Sequence, residues 1–328
     1  MTLMPPLSPA TSNEQLRSEY VDSGYLSGIS MEPMGARPMS TQPTAAQTAL
    51  EPAAYAEHFV PIGTLELHVQ DYGTSGKAPV LCVHGGAANA HWYDFVARGF
   101  EPDYHVRAVD LRGHGDSEWD TSAPPDYSYK RHAADIHELT EKLDLRDFVL
   151  IGHSMGGMVS SVYAATYPGR ARAFIVVDSN LVMTPERIAG FNAVGSRAGR
   201  EYASQEEFIA NYRVRPSGST AAPRMLRHIA QHSGRRFDDG RWRHKVDRNV
   251  YASRELFDSL ALWNHIRIPS LLMKAANSTR MTPEAIAEVR SRAPQVQLAL
   301  IPDSDHHITL DNPAGFVQVA RKFLDSIA

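Results

Sequence analysis

The chain of 328 residues contains one cysteine, Cys82, so no disulfide can form within it, and it suits a reducing compartment. Cys82 sits inside an apolar run and reads as a buried structural thiol rather than a nucleophile. No apolar run approaches the length that spans a bilayer, so no membrane partner is expected. The first residues lack a charged stretch followed by an apolar one. No secretory signal is therefore expected, and cytoplasmic residence is the default. Basic charge is not in excess: 33 Lys and Arg face 37 Asp and Glu, a net charge of -4. With no zinc-finger spacing and no sustained basic run, nucleic acid is not an expected partner. His228, His232, His244 and His265 form no recognised metal motif. His228 and His232 are four apart and could share a zinc, but no third ligand is evident, so they read as surface histidines.

What is present is concentrated at one point. Phe148-Val149-Leu150-Ile151 is an apolar run that ends in Gly152-His153-Ser154-Met155-Gly156 and passes at once into a helical pattern. A strand, a tight turn carrying a serine, and a helix whose N-terminus faces that serine make a nucleophile elbow. The flanking glycines suit a turn that brings strand and helix too close for side chains. An ordinary strand-to-helix turn is the competing reading of Ser154.

The rest of the chain repeats the alternation. Pro79–Val83 is a continuous apolar run leading into His84-Gly85-Gly86, which suits a backbone that offers an N–H to an oxyanion. Val106–Asp110 is a strand followed by a glycine-marked loop, where Asp110 and Arg112 read as a structural ion pair or loop anchors. Residues 132–143 have helical spacing, and a helix should run from Met155 to about Tyr167, ended by Pro168-Gly169. Ala173–Val177 is another buried strand, with Asp178 at its end. This alternation predicts a mostly parallel, doubly wound α/β sheet with its site at the carboxyl ends of the strands.

Residues 181–264 break the pattern. They read as an inserted helical cap rich in Arg, Met and aromatics, including Met183 and Trp263. The sheet resumes over 265–328, with strands at 268–275 and 296–300, a helix capped by Thr282-Pro283, and a closing helix at 313–327. The first part of the core is thus 56–180. Residues 1–55 are rich in Pro, Ser, Thr, Ala, Met and Gly and read as an extension that cannot fold alone. The sharper alternative is an arm that orders against a neighbouring subunit of a homo-oligomer, anchored by Tyr20, Tyr25, Leu26 and the methionines.

Gly152–Gly156, Asp110–Ser117 and His306–Pro313, in this order with the His-Gly-Gly loop and the cap, resemble the α/β-hydrolase superfamily across roughly residues 58–328. The resemblance implies an α/β-hydrolase fold and a serine hydrolase with Ser154 as nucleophile. By the family's spacing to Asn312-Pro313, His306 is the base and His307 takes a slot usually held by an apolar residue. The loop that carries the acid in most relatives reads Ala276-Asn277-Ser278-Thr279-Arg280, without a carboxylate. The acid is therefore assigned to Asp178, with a polar strand-end cap as its competing role and Asn277 as the other candidate orienting group. The resemblance places the oxyanion hole at the N–H groups of Met155 and Gly86, with Gly85 as second choice. His84, Met183 and Trp263 are the candidate substrate contacts. Neither metal nor cofactor is implied.

An acid at this strand, 24 residues after the serine, is similar to the bacterial zearalenone hydrolases, which are lactonases. That resemblance implies a small-molecule ester or lactone substrate, bulky and apolar. The alternatives are a carbon–carbon bond hydrolase of ring-cleavage products and a catalytically weak receptor on the same fold.

Overall fold

The computed structural model describes residues 51–73 and 76–328. The expected extension of residues 1–55, as flexible tail or oligomer arm, lies outside these except for its last five positions. Of those, Ala53 is already packed in the core and donates its N–H to Asp94 O.

One sheet of eight strands organises the chain. Its members are β1 (Ala56–Ile62), β2 (Leu65–Asp71), β3 (Ala78–Val83), β4 (Tyr104–Val109), β5 (Phe148–His153) and β6 (Ala171–Val177). Four short strands follow outside it: β7 (Val182–Met183), β8 (Gly234–Arg236), β9 (Trp242–His244) and β10 (Phe257–Asp258). The sheet is completed by β11 (Ser270–Ala275) and β12 (Gln297–Ile301), in the order β1-β2-β4-β3-β5-β6-β11-β12. Pairing is antiparallel from β1 to β4 and parallel for all the rest. The helices are α1 (Tyr129–Lys142), α2 (Met155–Thr166), α3 (Pro185–Gly195), α4 (Gln205–Asn211) and α5 (Pro223–Ser233), then α6 (Asn249–Ala252), α7 (Pro283–Arg292), α8 (Ile308–Asp311) and α9 (Pro313–Asp325).

The continuous apolar runs exist because both sheet faces are covered. Along β5, Phe148 and Leu150 join a cluster with α1 and α2, through Ile136, Leu139, Val159 and Tyr163. Val149 and Ile151 join the opposite cluster, with Phe100 and with Phe316 and Phe323 of α9. A period of two thus splits one hydrophobic strand between two cores. Cys82 is buried in the second, and burial pushes its thiol up, away from reactivity. Helix starts fall where the caps place them. Thr282 accepts from Ala285 N–H ahead of Pro283, and Asn312 accepts from Gly315 N–H ahead of Pro313.

The segment between β6 and β11 rests on loops at the carboxyl ends of the strands. Ala221, Met225 and Ile229 pack on Ala88, Trp92 and Phe95. This cap is less helical than its composition suggests, since β8 and β9 form a hairpin closed by Asp238-Asp239-Gly240, and β7 pairs with β10. Strands of two or three residues are too short to show a period. Among the described residues no helix is long and apolar enough to cross a membrane.

Asp110 anchors the loops beneath this edge. It accepts from Ala90 N–H at 2.6 Å, Asp116 N–H at 2.9 Å and the His68 ring at 2.8 Å. Burial alone would raise its carboxyl, but the His68 hydrogen bond and charge outweigh this and take it to about 2. Arg112 does not pair with Asp110; it ion-pairs with buried Asp135 and, at 3.1 Å, with Asp120. Replacing Asp110 by Ala should strip three donors of their acceptor and cost about 3–5 kcal/mol of stability at pH 7, measured by urea unfolding. Because the folded-state value is depressed, this contribution is present above the ordinary carboxylate range and fades as pH falls toward 2. A loss under about 1 kcal/mol would contradict the anchoring role.

Candidate active site

Ser154 stands between β5 and α2 with φ 52° and ψ -116°, a left-handed backbone that a non-glycine residue adopts only when its surroundings enforce it. The enforcement is visible. Ser154 N–H donates to Val177 O at 2.9 Å, and Ser179 Oγ donates to Ser154 O at 2.6 Å. A Cβ on Gly156 would strike the backbone of Val83 and His84, and one on Gly152 would meet Gly156 O at 2.5 Å. These glycines let strand and helix close around the serine.

Three side chains from distant positions meet here. Ser154 Oγ–H donates to His306 Nε2 at 2.9 Å, and His306 Nδ1–H donates to Asp178 Oδ2 at 2.8 Å. Asp178 follows β6 with a left-handed φ of 37° and is fully buried. Its Oδ1 accepts from Ala275 N–H at 3.1 Å. Burial raises its carboxyl, and the Ser278 and Ala275 hydrogen bonds offset part of that rise. His306 lies well below the usual imidazole range because burial, then the charges of His307, Arg280 and Arg187, disfavour its cation. Its resting form is therefore the neutral imidazole, the form able to take a proton.

The surrounding loops fix the imidazole further. His153 Nε2–H donates to His306 O at 2.8 Å, and His307 Nε2–H donates to Pro216 O of the cap at 2.9 Å. In the sequence His153 carries no signal beyond its place in the elbow motif. Asn277 is exposed and donates its backbone N–H to Ser304 O, while the His306 ring bonds to Asp178 and Ser154 instead.

Two candidate substrate contacts need correction. His84 is fully buried, with Nδ1–H on Gly85 O at 2.6 Å and Nε2 accepting from Leu111 N–H at 3.0 Å. Both nitrogens are used to brace the loop, so it is a structural residue. Trp263 is 0% exposed and stacks on Phe174 at 5.9 Å in the first core cluster. Its size and aromaticity suggested a binding role, but it fills the core. Met183 is buried in the same cluster, in β7 opposite Phe257. Gly85 lies against the serine, where a Cβ would approach Ser154 Cβ to 3.1 Å, and a Cβ on Gly86 would lie 3.8 Å from Met155 Sδ. Cavities of about 560 and 620 Å³ open within the cap, and Ser154, Asp178 and His306 line neither.

A hydrogen-bonded serine–imidazole–carboxylate array at the carboxyl edge of such a sheet, with the serine half-buried, defines a class, the hydrolases of this architecture. Residues 78–313 match the alpha/beta hydrolase fold family, and the chain belongs to it. An esterase of Mycobacterium tuberculosis is 29% identical over 266 residues, 76% of this chain and 84% of the relative. The 2-(acetamidomethylene)succinate hydrolase of Mesorhizobium japonicum is 25% identical over 284 residues, 83% of this chain and 97% of the relative. A crystal structure of E-2-(acetamidomethylene)succinate hydrolase superposes with a TM-score of 0.73 at 22% identity, over 83% of this chain and 100% of that one. The protein is a hydrolase of the α/β fold.

The depressed imidazole has a sign that can be checked. With neutral His306 as the expected base, kcat/KM for an activated ester should stay level as pH falls through 6.5 and drop only below it. An acid limb centred at or above 6.5 would contradict the burial argument.

Proposed function

We propose that this hydrolase cleaves a carboxylic ester or lactone through an acyl-enzyme. The unbroken hydrogen bonding from Ser154 through His306 to Asp178 carries the reading. Ser154 Oγ attacks the carbonyl carbon as its proton passes to His306 Nε2, and the carbonyl electron pair moves onto oxygen. The N–H groups of Met155 and Gly86 receive that oxyanion, with Gly85 the second choice for the latter. Collapse expels the alcohol, which takes the proton from His306. Water then gives a proton to His306 and attacks the acyl carbon. Ser154 leaves as its hydroxyl and the acid departs. Asp178 holds the imidazole tautomer and steadies the cation that forms.

The narrower reading of the substrate is the macrocyclic lactone zearalenone. Its support is the acid at the end of β6, where the zearalenone lactonases that the sequence resembles carry theirs, and the aromatic cap. The opened acid would then lose CO₂ without help from the enzyme.

One observation favours a second substrate class. Arg254 is only 8% exposed, has no carboxylate partner among the described residues, and has an Nε without a hydrogen bond. It faces the rings of Phe191 and Tyr129 at 5.4 and 5.8 Å. A Cβ on Gly86 would lie 2.9 Å from one of its terminal nitrogens. A buried guanidinium beside the proposed oxyanion loop suits a substrate that carries a carboxylate. One relative is named for a succinate derivative.

Two measurements test the site and separate these readings in turn. Asp178→Asn should fold normally and lose about 10⁴-fold in turnover of a p-nitrophenyl ester, and near-normal turnover would sink the assignment of the acid. Wild-type protein should then be offered zearalenone, p-nitrophenyl butyrate and p-nitrophenyl hemisuccinate. The lactone reading expects ring-opened zearalenone by mass spectrometry. The carboxylate reading expects a preference of about tenfold or more for hemisuccinate over butyrate, abolished in Arg254→Gln. Failure on all three would contradict the ester-hydrolase reading.

A further inference from the structure

The cap and the sheet domain meet at three imidazoles and a carboxylate that the reaction does not use. His91 lies in a short 3-10 helix, Ala90–Tyr93, and Asp94 ends it. His228 and His232 lie one turn apart on α5. The sequence offered these last two as surface histidines without a third ligand. The fold supplies His91 and Asp94, the latter 134 positions from His228.

The three histidines each bring a ring nitrogen to within 4.8 Å of the others. The rings of His91 and His232 stack at 3.6 Å, and that of His228 lies 4.7 Å from His232. Asp94 is fully buried. Its Oδ2 accepts from His91 Nδ1–H at 2.9 Å and from His228 Nε2–H at 2.6 Å, and its Oδ1 accepts from Tyr72 Oη–H at 2.6 Å. His232 differs from its neighbours: its ring takes part in no hydrogen bond among the described residues, and it is half-buried. Burial, with His91 and His228 beside it, pushes it down to about 4, which leaves a neutral imidazole with a free lone pair.

We propose that His91, His228 and His232, braced by Asp94, bind one divalent cation of the zinc class and so clip the cap to the sheet domain. In a tetrahedral site with Zn–N bonds of about 2.0–2.1 Å, ligand atoms stand about 3.3 Å apart. Nitrogens already within 4.8 Å of one another would close to that spacing on binding, and His91 Nε2 would exchange the Gln70 amide, now at 3.0 Å, for the metal. Binding also breaks the His91–His232 stack, so the metal-bound arrangement has less ring overlap. The donor chemistry selects the ion, because imidazole suits zinc and its neighbours whereas calcium and magnesium take oxygen ligands. A carboxylate on the far nitrogen of a ligating histidine fixes its tautomer and raises its basicity, and Asp94 is placed to do this. It also supplies negative charge to offset the buried cation. Binding displaces protons from the imidazoles and adds its free energy to the folded state.

The test uses the full-length chain, stripped with a chelator and dialysed against zinc chloride. Metal content is read by emission spectrometry and Tm by calorimetry. About one tightly held zinc per chain and a higher Tm are expected in the wild type. His228→Gln and His232→Gln should each lose both effects while still hydrolysing the ester cleaved by the wild type. His306→Gln should keep both, which excludes the second imidazole group, at His153, His306 and His307. Wild-type protein with only trace zinc and an unchanged Tm overturns the proposal, whatever the variants do. So does zinc retained after both α5 histidines are replaced, or zinc lost in His306→Gln.

Discussion

The His306 imidazole is held from both sides, and the geometry of the molecule follows from that grip. Asp178 takes one nitrogen and Ser154 offers its hydroxyl to the other, at 2.8 and 2.9 Å. Each partner projects from a strand end with positive φ, 37° at Asp178 and 52° at Ser154. Two strained residues at the edge of one sheet are sustained because β5, β6 and β11 are paired in parallel and buried on both faces. The backbone of β11 contributes directly, since Ala275 N–H holds the second oxygen of Asp178.

Much of this was legible in the sequence. Continuous apolar runs such as Phe148–Ile151 announce a strand covered on both faces, and the glycines of the elbow announce close approach. The family is shown by the match over residues 78–313. Failures came where composition stood in for position. Trp263 looked like a ring for substrate and is core, and His84 looked like a contact and is a brace. The strand β1 and the hairpin of β8 and β9 left no periodic trace. Burial of Arg254 and the meeting of His91 with α5 depend on folding alone, because they join residues far apart in the chain.

The cap is tied to the catalytic edge by polar bonds as well as by apolar packing. His307, next to His306, reaches Pro216 O, and Asp311 of α8 accepts from Ser219 Oγ and Thr220 N–H. Asn89 reaches His232 O from the loop that follows the His-Gly-Gly stretch. Movement of the cap would therefore be felt at both sides of Ser154. The imidazole cluster at Asp94 sits in this same seam, so its occupancy would bear on how firmly the cap is seated, separately from the chemistry at the serine.

The central claim is that His306 and Asp178 make Ser154 nucleophilic. Reaction with a fluorophosphonate, followed by peptide mass spectrometry, tests it without any assumption about substrate. One adduct is expected, on the peptide bearing Ser154, formed rapidly in the wild type and at a rate lower by orders of magnitude in His306→Ala. An unlabelled Ser154, or labelling that is indifferent to His306, would contradict it.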